Sequence, residues 1–205
     1  MKKISILTLS ITALLLSSFS GCDTETIEPE ADLVSVDENL GLVYMREEEK
    51  LARDVYITMY EMYDNKIFNN ISKAEQMHMD KVLTLLEKYN IEDPSFEGIG
   101  EFSNETLQQL YNDLIELGSK SEIDALLVGV TIEDVDIFDL DEFTVETTDP
   151  DIIAVYDALN CGSRNHMRAF NAQLDSLGVT YTPQFITQEQ FDAIIAGDHE
   201  RCGQN

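Results

Sequence analysis

Acidic residues and histidines interrupt the apolar stripes of this sequence at regular places. Apolar side chains recur at steps of three and four, which puts them on one face of a helix. Five ionisable residues take positions within these stripes: Glu49, Glu75, His78, Glu133 and His166. Burying an unpaired carboxylate costs several kcal/mol, so three carboxylates in one core require cations. The pattern predicts that the five residues converge on a metal site.

The residue types and their spacing indicate which metals this site would bind. Glu75 and His78 stand one helical turn apart, so that a carboxylate and an imidazole share a face. Helical bundles that hold two iron or manganese ions use one Glu from each of two helices and Glu-x-x-His from each of the others, and such mixed ligation suits these metals. Ser163 stands where the second Glu-x-x-His would need its carboxylate, three residues before His166. We therefore expect one tightly bound iron or manganese ion, or two with further ligands.

Neighbouring residues are candidates for those further ligands. Glu48 lies one step from Glu49 and fits an adjoining stripe, so either residue could be the ligand from the first helix. Asp136 follows Glu133 by one turn and offers a spare carboxylate on the same side. A solvent hydroxide could also complete the ligand shell.

Other polar residues on the stripes allow two interpretations each. Tyr56 or Tyr156 could donate a hydrogen bond to a ligand carboxylate, although packing alone explains a buried tyrosine at least as well. Glu75 follows Ser72 by three residues and could be the partner in a helix-capping box instead of a metal ligand. A lone buried histidine is more often part of a core than of a metal site, but two of the chain's three histidines occupy motif positions.

Helices must position these residues, and the apolar periodicity predicts where they lie. Four long helices are expected at about residues 40–63, 72–89, 122–140 and 151–177, with short ones at about 104–117 and after residue 187. The polar segment from Asp64 to Asn70 should separate the first two helices, and Ser72 should cap the second. No segment alternates with a strand's period over enough residues to demand a sheet. The expected fold is all-α, a bundle in which a long crossover carrying a short helix joins the second and third long helices.

The N-terminus has the features of a lipoprotein signal peptide. Two lysines precede an apolar run over residues 4–16, which is too short to span a bilayer, and Ser20-Gly21 stand directly before Cys22. We expect residues 1–21 to be removed and Cys22 to receive the lipid. The chain would then be exported and anchored in the cell envelope, on a leaflet that the sequence does not specify, with the lipid as its only membrane contact.

The remainder of the chain divides into a tether and one domain. Residues 22–37 are acidic and show no sustained period, which predicts a flexible tether, whereas residues 38–205 form the helical domain. Two cysteines, Cys161 and Cys202, remain in a compartment outside the reducing cytosol. A disulfide between them would tie the C-terminal tail to the last long helix, but sequence alone does not show that their Cα atoms come close.

The charge of the chain limits its partners. Thirteen basic residues stand against 40 acidic ones, which gives a formal net charge of −27 at pH 7. Such a surface repels phosphate backbones and anionic headgroups, so nucleic-acid binding and charge-driven membrane binding are not expected. The same surface attracts cations, and metal ions are the expected partners. A homo-oligomer is compatible with the sequence.

Three sequence blocks resemble known helical families. The pattern Glu49-x-x-Ala52-x-x-x-Tyr56 resembles the first-helix motif of rubrerythrins in the ferritin-like superfamily, and Glu75-x-x-His78 is similar to their second-helix motif. The likeness is closer to an uncharacterised ferritin-like family, domain of unknown function 2202, and extends over about residues 38–195. It is carried by the blocks at residues 47–56, 75–79 and 162–170.

This resemblance implies a ferritin-like four-helix bundle with a candidate metal site, without implying a substrate. Ser163 belongs to the pattern of the family, which argues against a complete ferroxidase site. Two functions remain open. One is a non-haem iron or manganese centre for oxygen, peroxide or ferrous-iron chemistry, as in an oxidoreductase. The other is a non-enzymatic surface binding or interaction lipoprotein with a degenerate metal site.

Overall fold

A computed structural model describes residues 35–203 of the chain. Within this range the protein is entirely helical and contains no strand, which confirms the all-α prediction. The helices are α1 (Val36–Tyr63), α2 (Lys66–Lys88), α3 (Glu105–Gly118), α4 (Glu122–Glu146), α5 (Pro150–Ser176) and α6 (Gln188–Ala196). The expected signal peptide, the lipid attachment at Cys22 and the tether up to residue 34 lie outside the described residues.

None of the helices within residues 35–203 is both long and apolar enough to cross a membrane.

Polar caps determine where the first helix begins. The Ser35 side chain accepts a hydrogen bond from the Glu38 backbone N–H, and the Glu38 carboxylate accepts one from the Ser35 N–H. This capping box begins α1 at Val36, four residues before the start that periodicity predicted. Helix α1 therefore includes residues 36 and 37, which the sequence analysis assigned to the tether.

The second helix begins earlier than predicted. Asn65 caps α2, which starts at Lys66, so the predicted interruption through residue 70 is wrong. Ser72 is not a cap, because it lies buried within the helix and its hydroxyl donates to the Asn69 carbonyl. The interpretation of Glu75 as the partner of a Ser72 cap is therefore also wrong.

Packing explains why the asparagines do not break α2. Asn69 and Asn70 keep some or all of their side chains in solvent, while Phe68 and Ile71 are buried. Tertiary burial of an apolar face outweighs the few tenths of a kcal/mol by which asparagine disfavours a helix.

Helix α4 ends later than predicted, at Glu146 and not near Leu140. Phe143 extends the apolar face by a further turn, since its ring packs against Tyr44 and Tyr156. Periodicity did not predict this turn because Asp141, Glu142 and Thr144 stand directly beside Phe143.

Two helical hairpins make up the bundle. Helices α1 and α2 pack along each other across a two-residue connection, as do α4 and α5 across residues 147–149. The hairpins pack together through α1 against α4 and α2 against α5. Helix α3 lies in the long connection between them and covers α1 and α4, while α6 packs on α5. The four long helices thus enclose one interior, where the rings of Tyr56, Phe68 and Phe170 contact one another.

Candidate metal centre

The five predicted ligand residues come together in the interior of the bundle. Helix α1 contributes Glu49, α2 contributes Glu75 and His78, α4 contributes Glu133, and α5 contributes His166. The three glutamates are each at most 2% exposed, so these carboxylates have left bulk solvent. Every long helix therefore supplies at least one side chain to the cluster.

The side chains form two sets of three that share one residue. In the first set, His78 Nδ1 lies 3.1 Å from Glu49 Oε2 and 2.8 Å from Glu75 Oε2. In the second set, His166 Nδ1 lies 2.9 Å from Glu75 Oε1 and 3.4 Å from Glu133 Oε2. Within each set the donor atoms all lie within 4.8 Å of one another.

Glu75 is the shared residue, and its two carboxylate oxygens face different imidazoles. The rings of His78 and His166 stack with their centroids 5.6 Å apart. A carboxylate between two imidazoles has the arrangement of a bridging ligand, since each oxygen can bind a separate ion.

Several potential ligand atoms of the cluster have no hydrogen-bond partner among the described residues. They include Glu49 Oε1, Glu75 Oε1 and His166 Nδ1, all fully buried. The last two face each other at 2.9 Å as an ion pair, without the geometry of a regular hydrogen bond. Two ligand atoms about 2.1 Å from one ion at a right angle would be about 3 Å apart. The 2.9 Å between Glu75 Oε1 and His166 Nδ1 is therefore also the separation expected for two ligands of a common cation.

The charges of the first set, Glu49, Glu75 and His78, also favour a bound cation. Burial raises the pKa of Glu49 to about 7, although the neighbouring His78 charge opposes this shift. Burial alone would lower the pKa of His78, but Glu49 and Glu75 raise it to about 10. Without metal, the carboxylates thus hold protons on the cluster, and metal binding would release them.

The second set shows the same competition between burial and charge. Burial would raise the pKa of Glu75, but His166 and His78 bring it far below its usual range. Burial raises the pKa of Glu133 even though His166 lies beside it. The carboxylates raise the pKa of His166 well above its ordinary value despite burial.

Tyr56 fixes the orientation of Glu133. Its hydroxyl donates to Glu133 Oε1 at 2.5 Å and also lies 3.3 Å from the Gly129 carbonyl oxygen. Burial, with the charges of Glu133 and Glu75, raises the pKa of Tyr56 well above its ordinary value, so the hydroxyl keeps its proton. The bond to Oε1 leaves Glu133 Oε2 directed toward His166.

Ser163 and Asp136 contact each other beside the two sets. The Ser163 hydroxyl lies within hydrogen-bond distance of the Asp136 carboxylate and of the Leu159 carbonyl oxygen. Burial, with the charges of Glu49 and Glu133, raises the pKa of Asp136 well above its ordinary value. Asp136 Oδ1 has no hydrogen-bond partner within residues 35–203. The carboxyl lies close to the cluster but belongs to neither set of ligand atoms among the described residues.

Glu48 faces a different part of the interior from Glu49. It lines a small cavity with Leu51 and Ile132, and it belongs to neither set of ligand atoms in the described chain. Burial and the carboxylates of Asp139 and Asp136 raise its pKa well above the ordinary value. Of the two candidates on the first helix, only Glu49 reaches His78.

Gly162 makes room for one of the imidazoles. A Cβ atom at this position would lie 2.5 Å from both Cε1 and Nε2 of His78, closer than real Cβ contacts allow. Any larger residue at this position of α5 would displace the His78 ring. The place of Gly162 in the helix, one residue before Ser163, gave no sign of this role in the sequence.

The two cysteines considered for pairing are joined in the structure. Cys161 and Cys202 form a disulfide with their Cα atoms 5.5 Å apart, which links the C-terminal tail to α5. The tail has a second attachment that the sequence analysis missed, because the Glu200 carboxylate accepts hydrogen bonds from Arg164 and Arg168. Two arginines flanking His166 on α5 were a signal for such an anionic partner.

Comparisons with known proteins support the resemblance to domain of unknown function 2202. The uncharacterized protein MJ0754 of Methanocaldococcus jannaschii is 53% identical over 169 residues, which cover 82% of this chain and 91% of that protein. A crystal structure of hypothetical protein MJ0754 from Methanococcus jannaschii DSM 2661 covers 87% of this chain and 100% of its own, at 50% identity and a TM-score of 0.81. The family model described as uncharacterized protein domain DUF2202 matches residues 38–198. The chain belongs to this family.

Proposed function

We propose that this protein is a lipid-anchored envelope protein whose ferritin-like four-helix bundle holds a two-ion non-haem centre of iron or manganese. The observation that carries the proposal is the position of Glu75, whose two oxygens each complete a separate set of donor atoms. Glu49 and His78 would hold one ion with Glu75, and Glu133 and His166 would hold the other. These carboxylate and imidazole donors suit iron or manganese.

Such a centre would supply electron transfer to oxygen or peroxide, or oxidation of ferrous iron. The residues of this chain bind and orient it. Tyr56 positions Glu133 through its hydrogen bond, and the buried rings of Phe68 and Phe170 exclude water from the adjoining interior.

The buried donor atoms without partners support metal binding over a purely structural network. A structural network in a core satisfies its polar atoms, because each unpaired buried group costs about 1–3 kcal/mol. Glu49 Oε1 has no hydrogen-bond partner within the described chain, and Glu75 Oε1 and His166 Nδ1 meet only as an ion pair without regular hydrogen-bond geometry. A degenerate site in a surface binding protein would be expected to have lost this arrangement.

Metal analysis with a matched pair of variants tests the proposal. The purified protein should contain about two iron or manganese ions, and chelation should lower its melting temperature, because a native-state ligand stabilises by mass action. Glu75→Gln should reduce the metal content to one ion or none. Glu48→Gln changes an equally buried carboxylate outside both sets and should leave the metal content unchanged.

The opposite outcome would contradict the metal centre. If metal-free protein gains no melting temperature from ferrous or manganous ions, the cluster is not a metal site. The non-enzymatic interaction protein would then be the better account.

The lipid anchor has its own test. Cys22→Ala should move the protein from the membrane pellet to the soluble fraction and prevent the mass increase of lipidation, while the helical content stays the same. Retention in the pellet with an unshifted mass would contradict lipidation at Cys22.

A further inference from the structure

A cleft of about 450 Å³ opens between α2, α5 and the C-terminal tail. His78 and His166 line its floor, and Lys81 and Arg201 lie among the residues around it. Its volume falls within the range of small-molecule sites in proteins. The cleft is thus a route by which a small molecule could reach the imidazole side of the cluster from solvent.

The C-terminal tail is fastened above this cleft. The Asn165 side-chain amide donates to the Glu200 carbonyl and accepts from the Glu200 N–H, at 3.0 and 2.9 Å. The disulfide between Cys161 and Cys202 fixes the next turn of the tail. Arg201 stands between these two attachments and is held by them at the cleft.

The charges around the cleft differ from those of the rest of the surface. Thirteen basic residues less Lys2 and Lys3 leave 11 in the described part of the chain. Five of the 11 form no salt bridge there, namely Lys66, Lys73, Lys81, Lys120 and Arg201. Two of these five line this one cleft, and its only acidic lining residue, Glu200, is paired with Arg164 and Arg168.

Apolar side chains form another part of the lining. Ala74 and Met77 of α2 face the cleft, and Met77 is 59% exposed. An exposed methionine beside two unpaired cations suits a ligand that has both a carbon chain and an anionic group.

We infer that this cleft binds a small organic anion, with its charged group between Lys81 and Arg201 and its carbon chain against Met77. The inference rests on the proposed function in one respect, that the ligand would lie beside the metal centre. Three glutamates leave one positive charge on two divalent ions, and an anion would neutralise it.

Calorimetric titration of the purified protein with two probes of equal size tests the inference. Hexanoate carries a carboxylate, and hexanamide has nearly the same shape without the charge. Hexanoate should bind at one site at least tenfold more tightly than hexanamide. Loading the protein with metal should strengthen the binding of hexanoate and leave the binding of hexanamide unchanged. Equal binding of the two probes would overturn the inference.

Charge variants locate the binding. Lys81→Gln and Arg201→Gln should each weaken hexanoate binding roughly threefold, as expected for one partly exposed ion pair. Lys73→Gln removes a charge from the same helix two turns away and should have no effect, as should Lys120→Gln. Cys202→Ser should weaken binding because Arg201 loses one of its two attachments. If all five proteins bind hexanoate like the parent, the cleft is not the site.

The outcomes separate this inference from the metal centre. Charge-selective binding that depends on Lys81 and Arg201 in a protein that binds no metal would support the cleft and contradict the centre. Two bound ions with no preference for hexanoate would support the centre and contradict the cleft.

Discussion

Two kinds of buried carboxylate occur on the same pair of helices. On α4, Asp134 accepts hydrogen bonds from the Tyr181 hydroxyl and from the backbone N–H groups of Gln184, Phe185 and Ile186. One residue away, Glu133 has only Tyr56 as a hydrogen-bond donor among the described residues and lies near His166. The fold therefore surrounds one acid with donors and leaves its neighbour facing the centre.

Helix α1 shows the same contrast. Asp54 accepts from the Lys50 ammonium, the Arg53 guanidinium and the Gly100 N–H, at 2.5, 2.8 and 2.9 Å. Glu49, five residues earlier, retains an oxygen without a hydrogen-bond partner within residues 35–203. The chain thus supplies donors to Asp54 and Asp134, whereas Glu48, Glu49 and Asp136 each keep an oxygen without a hydrogen-bond partner in the described chain. Of these three acids only Glu49 belongs to a ligand set, where a cation would be the missing partner.

Removing an acid that accepts several hydrogen bonds should lower the stability of the protein most. Asp134→Ala leaves the segment around residues 184–186 without its acceptor and should lower the free energy of unfolding by about 4 kcal/mol, with or without metal. Urea denaturation would measure this change. The exposed Asp192→Ala on α6 is the control and should change stability by under about 0.5 kcal/mol. A similarly small loss for Asp134→Ala would remove the contrast between the two acids.

Changing an acid of the centre should instead give opposite signs in two conditions. Glu133→Gln keeps an acceptor for Tyr56 but removes a buried charge, so the metal-free variant should be more stable than the parent by about 1–2 kcal/mol. With ferrous ion the parent should gain about 2.7 kcal/mol at 100 times its dissociation constant, and the variant should gain less. Thermal melting curves recorded with chelator and with ferrous ion would show whether the order of stability of the two proteins reverses. Equal losses in both conditions would make Glu133 an ordinary core residue.

The Tyr56 hydroxyl should matter less. Tyr56→Phe deprives Glu133 of its one described donor and should cost about 1 kcal/mol without metal. Bound metal should compensate for part of this loss, because the carboxylate then has another partner. Tyr111→Phe removes a hydroxyl that lies within hydrogen-bond distance of Thr58 and borders neither ligand set, and it should show no such dependence on metal.

The smallest effect concerns the tail. Hydrogen bonds from Arg164 and Arg168 lower the pKa of Glu200 from 4.5 to about 2. A carboxyl whose folded pKa is lowered stabilises the protein fully above its unfolded pKa, and this contribution disappears as the pH falls toward the folded value. Glu200→Gln should therefore cost under about 1 kcal/mol at pH 7, given solvent screening, and less below pH 4.5. Denaturation at pH 7 and pH 3 would measure it, with exposed Glu97→Gln as control. A cost independent of pH would mean that the charge of Glu200 is not involved.

Periodicity was sufficient to predict the helices and the convergence of the five central residues, because a polar residue on an apolar stripe must point inward. It could not choose between Glu48 and Glu49, since neighbouring positions on a helix differ by about 100° and both border the stripe. The side chains settle this difference, because only Glu49 lies beside His78.

The attachment of the tail and the start of α2 could not be predicted from the sequence, for different reasons. Contacts between Arg164 and Glu200 join residues 36 positions apart, and no local pattern specifies such a pair. Asn69 and Asn70 were predicted to interrupt the helix. The sequence does not show that Phe68 is buried against Phe170 of another helix, which stabilises this segment as part of α2.

The hairpin arrangement also gives the two ligand sets an order in time. Glu49, Glu75 and His78 all lie on α1 and α2, so the first set is complete when synthesis has passed residue 88. The second set needs Glu133 and His166 from α4 and α5 together with Glu75. Chains fold progressively as their segments become available. In the proposed metal centre, the first hairpin would thus bind an ion by itself before the second hairpin docks onto a glutamate already in place.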